Sequence, residues 1–167
     1  SRRSFQISFH HNARMQAAIE EAAERLDIDA IIVEFSQMTG FRFPAGIPVI
    51  LDEHNVEYDL LARMAEQGSP LRRIYNRREV RKFRAEELQA VRQAALTLVT
   101  SGRDRELLKQ DVPDLRSAVI TNGVDTEYFA RPEGPRQPHT AVFVGATHYY
   151  PNEDGVLFFL REIMDRV

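Results

Sequence analysis

Cysteine is absent from this chain. That excludes disulfides, thiolate zinc sites and cysteine nucleophiles, and it is compatible with a reducing cytoplasm. Long apolar runs are missing as well. No stretch approaches the roughly 18 residues of a membrane-spanning helix, and the opening Ser1-Arg2-Arg3 lacks the apolar core of a signal peptide. Charge of one sign is not in excess: Lys and Arg number 22 against 25 Asp and Glu, a formal net charge of -3. The chain as a whole therefore gives no reason to expect nucleic acid or a bilayer as partner. His10 and His11 adjoin each other with no carboxylate at ligand spacing, so no metal site is expected. What is present is 167 residues with 43% hydrophobic content, enough to bury a real core.

The apolar residues fall into alternating strand and helix patterns. Met15, Ile19, Ala22 and Leu26 recur at helical spacing and predict a helix over 12–26 with one core face. Residues 30–35, 48–51 and 96–100 are short apolar runs rich in Ile, Leu and Val, the pattern of strands covered on both faces of a parallel sheet. Each run gives out into polar residues: Glu34 and Ser36 after the first, Asp52-Glu53-His54-Asn55 after the second, Ser101 after the third. Ligands of open α/β sheets gather at this carboxyl edge. Asn55 is placed to cap a helix reaching Ala65, with Val56, Leu60 and Met64 on its buried face, and Ser101 with Asp104 has the form of a capping box. Glu34 reads equally as a solvated carboxylate, and His54 as a loop histidine bonded to backbone.

A last short run, 117–121, ends at Asn122-Gly123, the dipeptide that most readily supplies the positive φ angles of a tight turn. Three prolines and a glycine within 131–138 then mark a connector. Alternation resumes with an expected strand at Thr140–Val144, a turn at Gly145, and a helix capped by Asn152 whose Val156, Phe159, Leu160 and Ile163 form a stripe. The expected organisation is a first α/β unit over 1–121, a junction over 122–138 and the opening βα pair of a second unit over 139–167.

The segment Val-Ile-Thr-Asn-Gly-Val-Asp-Thr-Glu-Tyr-Phe, 119–129, resembles the exit from the N-terminal domain of group 1 (family 4-like) retaining nucleotide-sugar glycosyltransferases. Ala-Val-Phe-Val-Gly-Ala, 141–146, is similar to the strand that opens their second domain. The resemblance covers 29–167 and implies a parallel Rossmann-like sheet flanked by helices, part of the twin-domain GT-B architecture. It implies a nucleotide-diphosphate sugar as donor, a glycan or lipid-linked acceptor, and no further cofactor. In that family a histidine at the turn matching His54 contacts the donor sugar, and a long helix carries an internal glutamate about where Glu86 stands. By resemblance, Asn122, Gly123, Gly145, Ala146 and Asn152 belong to the nucleotide, while Glu34, Ser36, Glu53 and Asn55 line the acceptor side. The loop 146–155 departs from the commonest family pattern, having no Arg or Lys and carrying Glu153 and Asp154. Its Gly…Tyr-Pro-Asn sequence resembles a subgroup of bacterial polysaccharide-type transferases.

The family's glycine-rich turn and its acidic donor motif are not found within the chain, so a truncated and inactive fragment is expected. Its last βα pair would then seek cover on the first unit or on another copy of the chain, the latter as an oligomer in which Phe143, Phe158, Phe159 and Leu160 meet partners across chains. Two other classes fit the same residues. One is a non-catalytic flavodoxin-like module, whose single sheet would include Ala141–Val144. The other is a membrane-surface role for the stretch holding Arg72, Arg73, Arg77, Arg78, Arg81, Lys82 and Arg84, seven cations against one anion, Glu79. A solvated charged face accounts for that stretch as well, and Ile74 interrupts its polar side. Nucleic-acid binding lacks the aromatic platforms it would need.

Overall fold

The computed structural model describes residues 3–66, 69–130, 134–135 and 137–167. Residues 131–133 and 136 of the expected connector lie outside them. The chain divides into two units, Ser1–Gly123 and Val124–Val167.

The first unit is α/β. Its strands β1 (Ile31–Glu34), β2 (Val49–Glu53), β3 (Leu96–Val99) and β4 (Ser117–Val119) pair side by side in that order, all parallel. Helices flank the sheet: α1 (Phe5–His10), α2 (Ala13–Arg25), α3 (Glu57–Ala65), α4 (Pro70–Gln93) and α5 (Gly102–Asp111). Cross-strand partners in a parallel sheet point to the same face. The register sets Val33 beside Leu51 and Leu51 beside Thr97, with Glu53 beside Val99 one row on, and all five are buried. Phe83, Leu88 and Val91 of α4 and Leu108 of α5 complete the core.

The expectation of strands covered on both faces holds for only one. Ile32 is 62% exposed. Among the described residues β1 has a neighbour only in β2, and the second face of the sheet is half-buried at Ile50, Leu96 and Leu98. A run of apolar residues cannot by itself distinguish a central strand from an edge.

The helix expected at 12–26 forms as α2, and Asn12 Oδ1 accepts from Arg14 N at 2.8 Å as its cap. Its expected face is not buried, since Met15 and Leu26 are exposed and the buried residue is Gln16. The Gln16 amide accepts from Arg42 N (2.8 Å) and donates to Arg42 O (3.0 Å). A polar clamp, not an apolar stripe, fastens α2. Ser101 Oγ accepts from Asp104 N (3.1 Å), so the expected cap of α5 is present.

Around Asn122 and Gly123 the backbone takes no positive φ, which corrects the tight turn expected there. Residues 120–125, after β4, take no helix, strand or turn form.

In the second unit, Asp125 Oδ1 accepts from Glu127 N and Tyr128 N, closing a turn before Phe129. Residues 140–144 form no strand, although their pattern predicts one. A strand exists by pairing, and no segment pairs with this run among the described residues. Val142 and Val144 are exposed. The contiguous sheet that a flavodoxin-like module requires is thus not formed. Helix α6 (Tyr150–Phe158) continues as a π turn, Phe159–Ile163. Its cap position is Tyr149, not Asn152, which sits inside the first turn and donates from Nδ2 to Ala146 O at 3.1 Å. A side chain at Gly145 would place its Cβ 2.8 Å from that Nδ2 and from the Phe143 ring tip, so the Asn152 and Phe143 side chains would have to shift.

Candidate functional site

Parallel strands bring their polar ends to one edge, and β1, β2 and β3 set Glu34, His54 and Ser101 along it, with Asn122-Gly123 following β4. His54 stands where β2 hands over to α3. Its ring packs on Phe35 with centroids 4.2 Å apart, its Nε2 lies 3.8 Å from Asp52 Oδ2, and its carbonyl accepts from Thr100 Oγ1 at 3.0 Å. The imidazole is half-buried, so one side is held and the other is open to solvent.

Phe35 adopts φ 67, the left-handed side of conformational space. A bulky residue there costs about 1–3 kcal/mol unless its surroundings hold it. Here Phe35 N donates to Asp52 O and Met38 N donates to Phe35 O, both at 3.0 Å. The kink turns the chain into the 3-10 turn Ser36–Gly40 and presents the Phe35 ring to His54. Nothing in the sequence marks it, since no Gly or Asn occupies the position.

Beneath the edge lies a group of buried carboxyls. The fully buried Glu87 of α4 accepts from Glu57 N through Oε1 and from Tyr58 N through Oε2, both at 2.8 Å. It thereby satisfies two orphan donors at the start of α3, which has no side-chain cap of its own at Val56. This corrects the expected cap at Asn55, which is exposed and instead leans with Gln37 on the Glu57 carboxyl. The neighbour of Glu87, Glu86, about where the resemblance puts the family's glutamate, faces elsewhere. One step along a helix turns a side chain by about 100°, and Glu86 points to Ser4 N, 3.2 Å away.

Glu53 is 1% exposed, and neither of its oxygens makes a hydrogen bond. Burial drives its pKa well above the ordinary carboxylate range, and the charges of Glu87 and Glu57 push it further. Burial also raises Glu87, to about 7, against the pull of the Tyr58 and Glu57 N–H groups. Glu57 is raised by burial, with Gln37 and Asn55 opposing. Three carboxyls this deep cannot all ionise. Two N–H donors and a helix start favour the anion on Glu87, so Glu53 carries the proton. Ser36 Oγ, also buried, is its polar neighbour.

Glu34 and Asn55 are therefore exposed at the edge, whereas Ser36 and Glu53 lie under it and present no surface to a ligand. Gly145, Ala146 and Asn152 are in the second unit. Sequence reasoning missed Phe35, Glu57 and Glu87. For Glu87 a signal existed: Phe83, Glu87 and Val91 fall at i, i+4 and i+8, so a glutamate occupies the core stripe of α4. Among the described residues no group of His, Asp or Glu could hold a metal ion, and no helix is long and apolar enough to cross a membrane.

A four-stranded parallel sheet with flanking helices and polar strand tips defines a Rossmann-like α/β domain of the kind found in glycosyltransferases. The match is more particular than that class. Residues 2–128 match the model of Glycosyltransferase Family 4, well over half of the chain, and the chain belongs to that family. No curated protein and no solved structure matches it.

Proposed function

We propose that the chain serves a retaining transfer of a sugar from a nucleotide-diphosphate donor to a glycan or lipid-linked acceptor, of the bacterial polysaccharide type, with His54 as the donor-sugar contact. The observation that carries this is the position of His54, at the tip of a central parallel strand in a Glycosyltransferase Family 4 domain, one ring side seated on Phe35 and the other open. Such a transfer asks little covalent chemistry of the protein. It needs the anomeric carbon held against an acceptor hydroxyl and the leaving diphosphate stabilised, which is positioning and electrostatics. A histidine that contacts the sugar must not swing. Phe35 packing, the Thr100 bond to its carbonyl and the Glu87 clamp just beyond it on α3 all limit that motion.

Exposed Glu34 and Asn55 are the proposed acceptor contacts. Toward the nucleotide, the candidates after β4 are Asn122 and Gly123. In the second unit they are Gly145, Ala146 and Asn152, where the Asn152 bond to Ala146 O shapes the loop. Glu153 in the first turn of α6 opposes a bound anion.

The test is NMR of the chain with 15N- and 13C-labelled histidine, titrated with a panel of nucleotide sugars and the matching free nucleotides. A nucleotide sugar should move the His54 ring signals more than its nucleotide does, and His54→Ala should weaken binding about tenfold. Perturbation of other histidines alone, or of none by any donor, overturns the assignment.

A further inference from the structure

The end of β1 reverses the usual order of burial. Side chains alternate between the two faces along a strand, and the pairing of Glu34 with Asp52 would carry Phe35 to a place beside Glu53, on the face that buries Val33 and Leu51. The kink prevents this. At φ 67 and ψ 137, Phe35 occupies a part of conformational space open to glycine and costly for a residue with a Cβ. Ser36 takes the buried place near Glu53, with 0% of its surface exposed, and the phenyl ring stands out at the edge, 37% exposed. The Ser36 hydroxyl has no hydrogen-bond partner among the described residues. A strained backbone thus keeps an aromatic ring out of the core and an unbonded hydroxyl in it, three unfavourable arrangements at adjacent residues.

The ring stands among polar groups. It packs on the His54 imidazole with the two planes 36° from parallel. Asp52 and His54 are half-buried, and Glu34 and Asn55 are exposed. An aromatic face beside carboxylates, an imidazole and an amide suits a pyranose, whose hydroxyls form a belt around the ring while its C–H groups gather on one face. Covering that face with a phenyl ring removes apolar surface of both from water. The faintly positive C–H hydrogens also meet the negative face of the π system. A wholly apolar ligand would have to cover the carboxylates, at the cost of their hydration.

We propose that Phe35 is a sugar platform, its ring packing on the C–H face of a hexopyranose bound at the strand edge beside His54. The strain at Phe35 then has a use, since it aims the ring at the ligand instead of the core. A sugar with a hydroxyl projecting from the covered face is held off the ring, so the platform also selects among epimers. The chemistry is the same whether the pyranose belongs to the donor or to the acceptor. The inference rests on the sugar-transfer reading for its ligand and goes beyond it, because there Phe35 only steadies His54.

The experiment is NMR of the full chain with ring-13C phenylalanine, the Phe35 signal among the 10 phenylalanines being the one lost in Phe35→Leu. The probes are UDP-glucose, UDP-galactose and GDP-mannose, the methyl glycosides of the same three sugars, and UDP and GDP alone. Nuclear Overhauser contacts should run from the Phe35 ring to sugar C–H protons, in the nucleotide sugars if the platform serves the donor and in the methyl glycosides if it serves the acceptor. Phe35→Leu should weaken binding of that probe about tenfold, near the upper end of what an aromatic contact contributes, and leave the affinity for UDP or GDP unchanged. Phe35→Tyr should retain it. Thermal melts separate lost binding from lost folding, and the contacts in the unsubstituted chain decide the matter even where a variant fails to fold. His54 signals that respond to a nucleotide sugar with no contact at Phe35, or with undiminished affinity in Phe35→Leu, would overturn the platform and leave the sugar-transfer reading standing. Contacts from a methyl glycoside to Phe35 with His54 silent toward every nucleotide sugar would support the platform and overturn the donor contact. Contacts from the nucleotide base in place of the sugar, or from none of the probes, would overturn the platform.

Discussion

The two units carry similar apolar sequence and end in opposite states. In the first, the runs Ile-Ile-Val and Val-Ile-Leu become paired strands whose alternate residues are buried. In the second, Ala-Val-Phe-Val at 141–144 is of the same type, yet it forms no strand, and none of the described residues of that unit is buried. The difference is one of partners. A strand obtains its hydrogen bonds and its cover from neighbours, and composition alone provides neither.

This comparison predicts its largest effect in the core. Leu51→Ala, at a site 1% exposed, should cost about 2–5 kcal/mol by chemical denaturation. Phe143→Ala in the second unit should change the same transition by less than about 0.5 kcal/mol. Equal losses would mean that the units share one core.

Next in size is the clamp on α3. Glu87→Ala leaves the Glu57 and Tyr58 amides without acceptors and opens a hole, a cost of about 3 kcal/mol. Glu87→Gln should cost roughly half that, since one amide can still be satisfied. If both variants keep wild-type stability, the helix start is not held by this side chain.

A comparable effect belongs to pH. Glu53 and Glu87 have folded pKa values raised above their unfolded ones, Glu87 to about 7. Between the unfolded value near 4.5 and the folded one, the folded state binds more protons, so stability falls as pH rises through that window. For Glu87 alone the loss is on the order of 3 kcal/mol. Glu53→Gln should flatten the slope and stabilise the protein above pH 7, because it removes the need to bury a second charge. A melting temperature that climbs from pH 5 to 7.5 in the wild type would refute the proton assignment.

The smallest contrast is between glycines. Gly46 has φ +91, and Gly46→Ala should cost about 1 kcal/mol. Gly123 has no such φ and open space around it, so Gly123→Ala should stay within about 0.5 kcal/mol. Thermal melts of the pair decide the matter.

Much of the first unit was legible in the sequence because local signals and tertiary context agree there. Strand positions, the α5 cap at Ser101 and the polar edge that includes His54 all follow from pattern. What escaped reading was set by distant partners. The cap of α3 comes from Glu87, some thirty residues away. The kink at Phe35 is offset by bonds to β2 and by the ring of His54. Tight-turn chemistry at Asn122-Gly123 is available but unused, since neither residue takes a positive φ. Helix propensity and turn preference describe what a segment can do, and contacts across the sheet decide which option is taken.

The claim on which the rest turns is that the buried Glu87 holds the turn bearing His54 in place for a sugar. Labelled-histidine NMR on Glu87→Gln and Glu53→Gln, each checked as folded, tests it directly. Nucleotide-sugar binding should keep its full effect on the His54 signals in Glu53→Gln and lose most of it in Glu87→Gln. An undiminished response in Glu87→Gln would contradict the account.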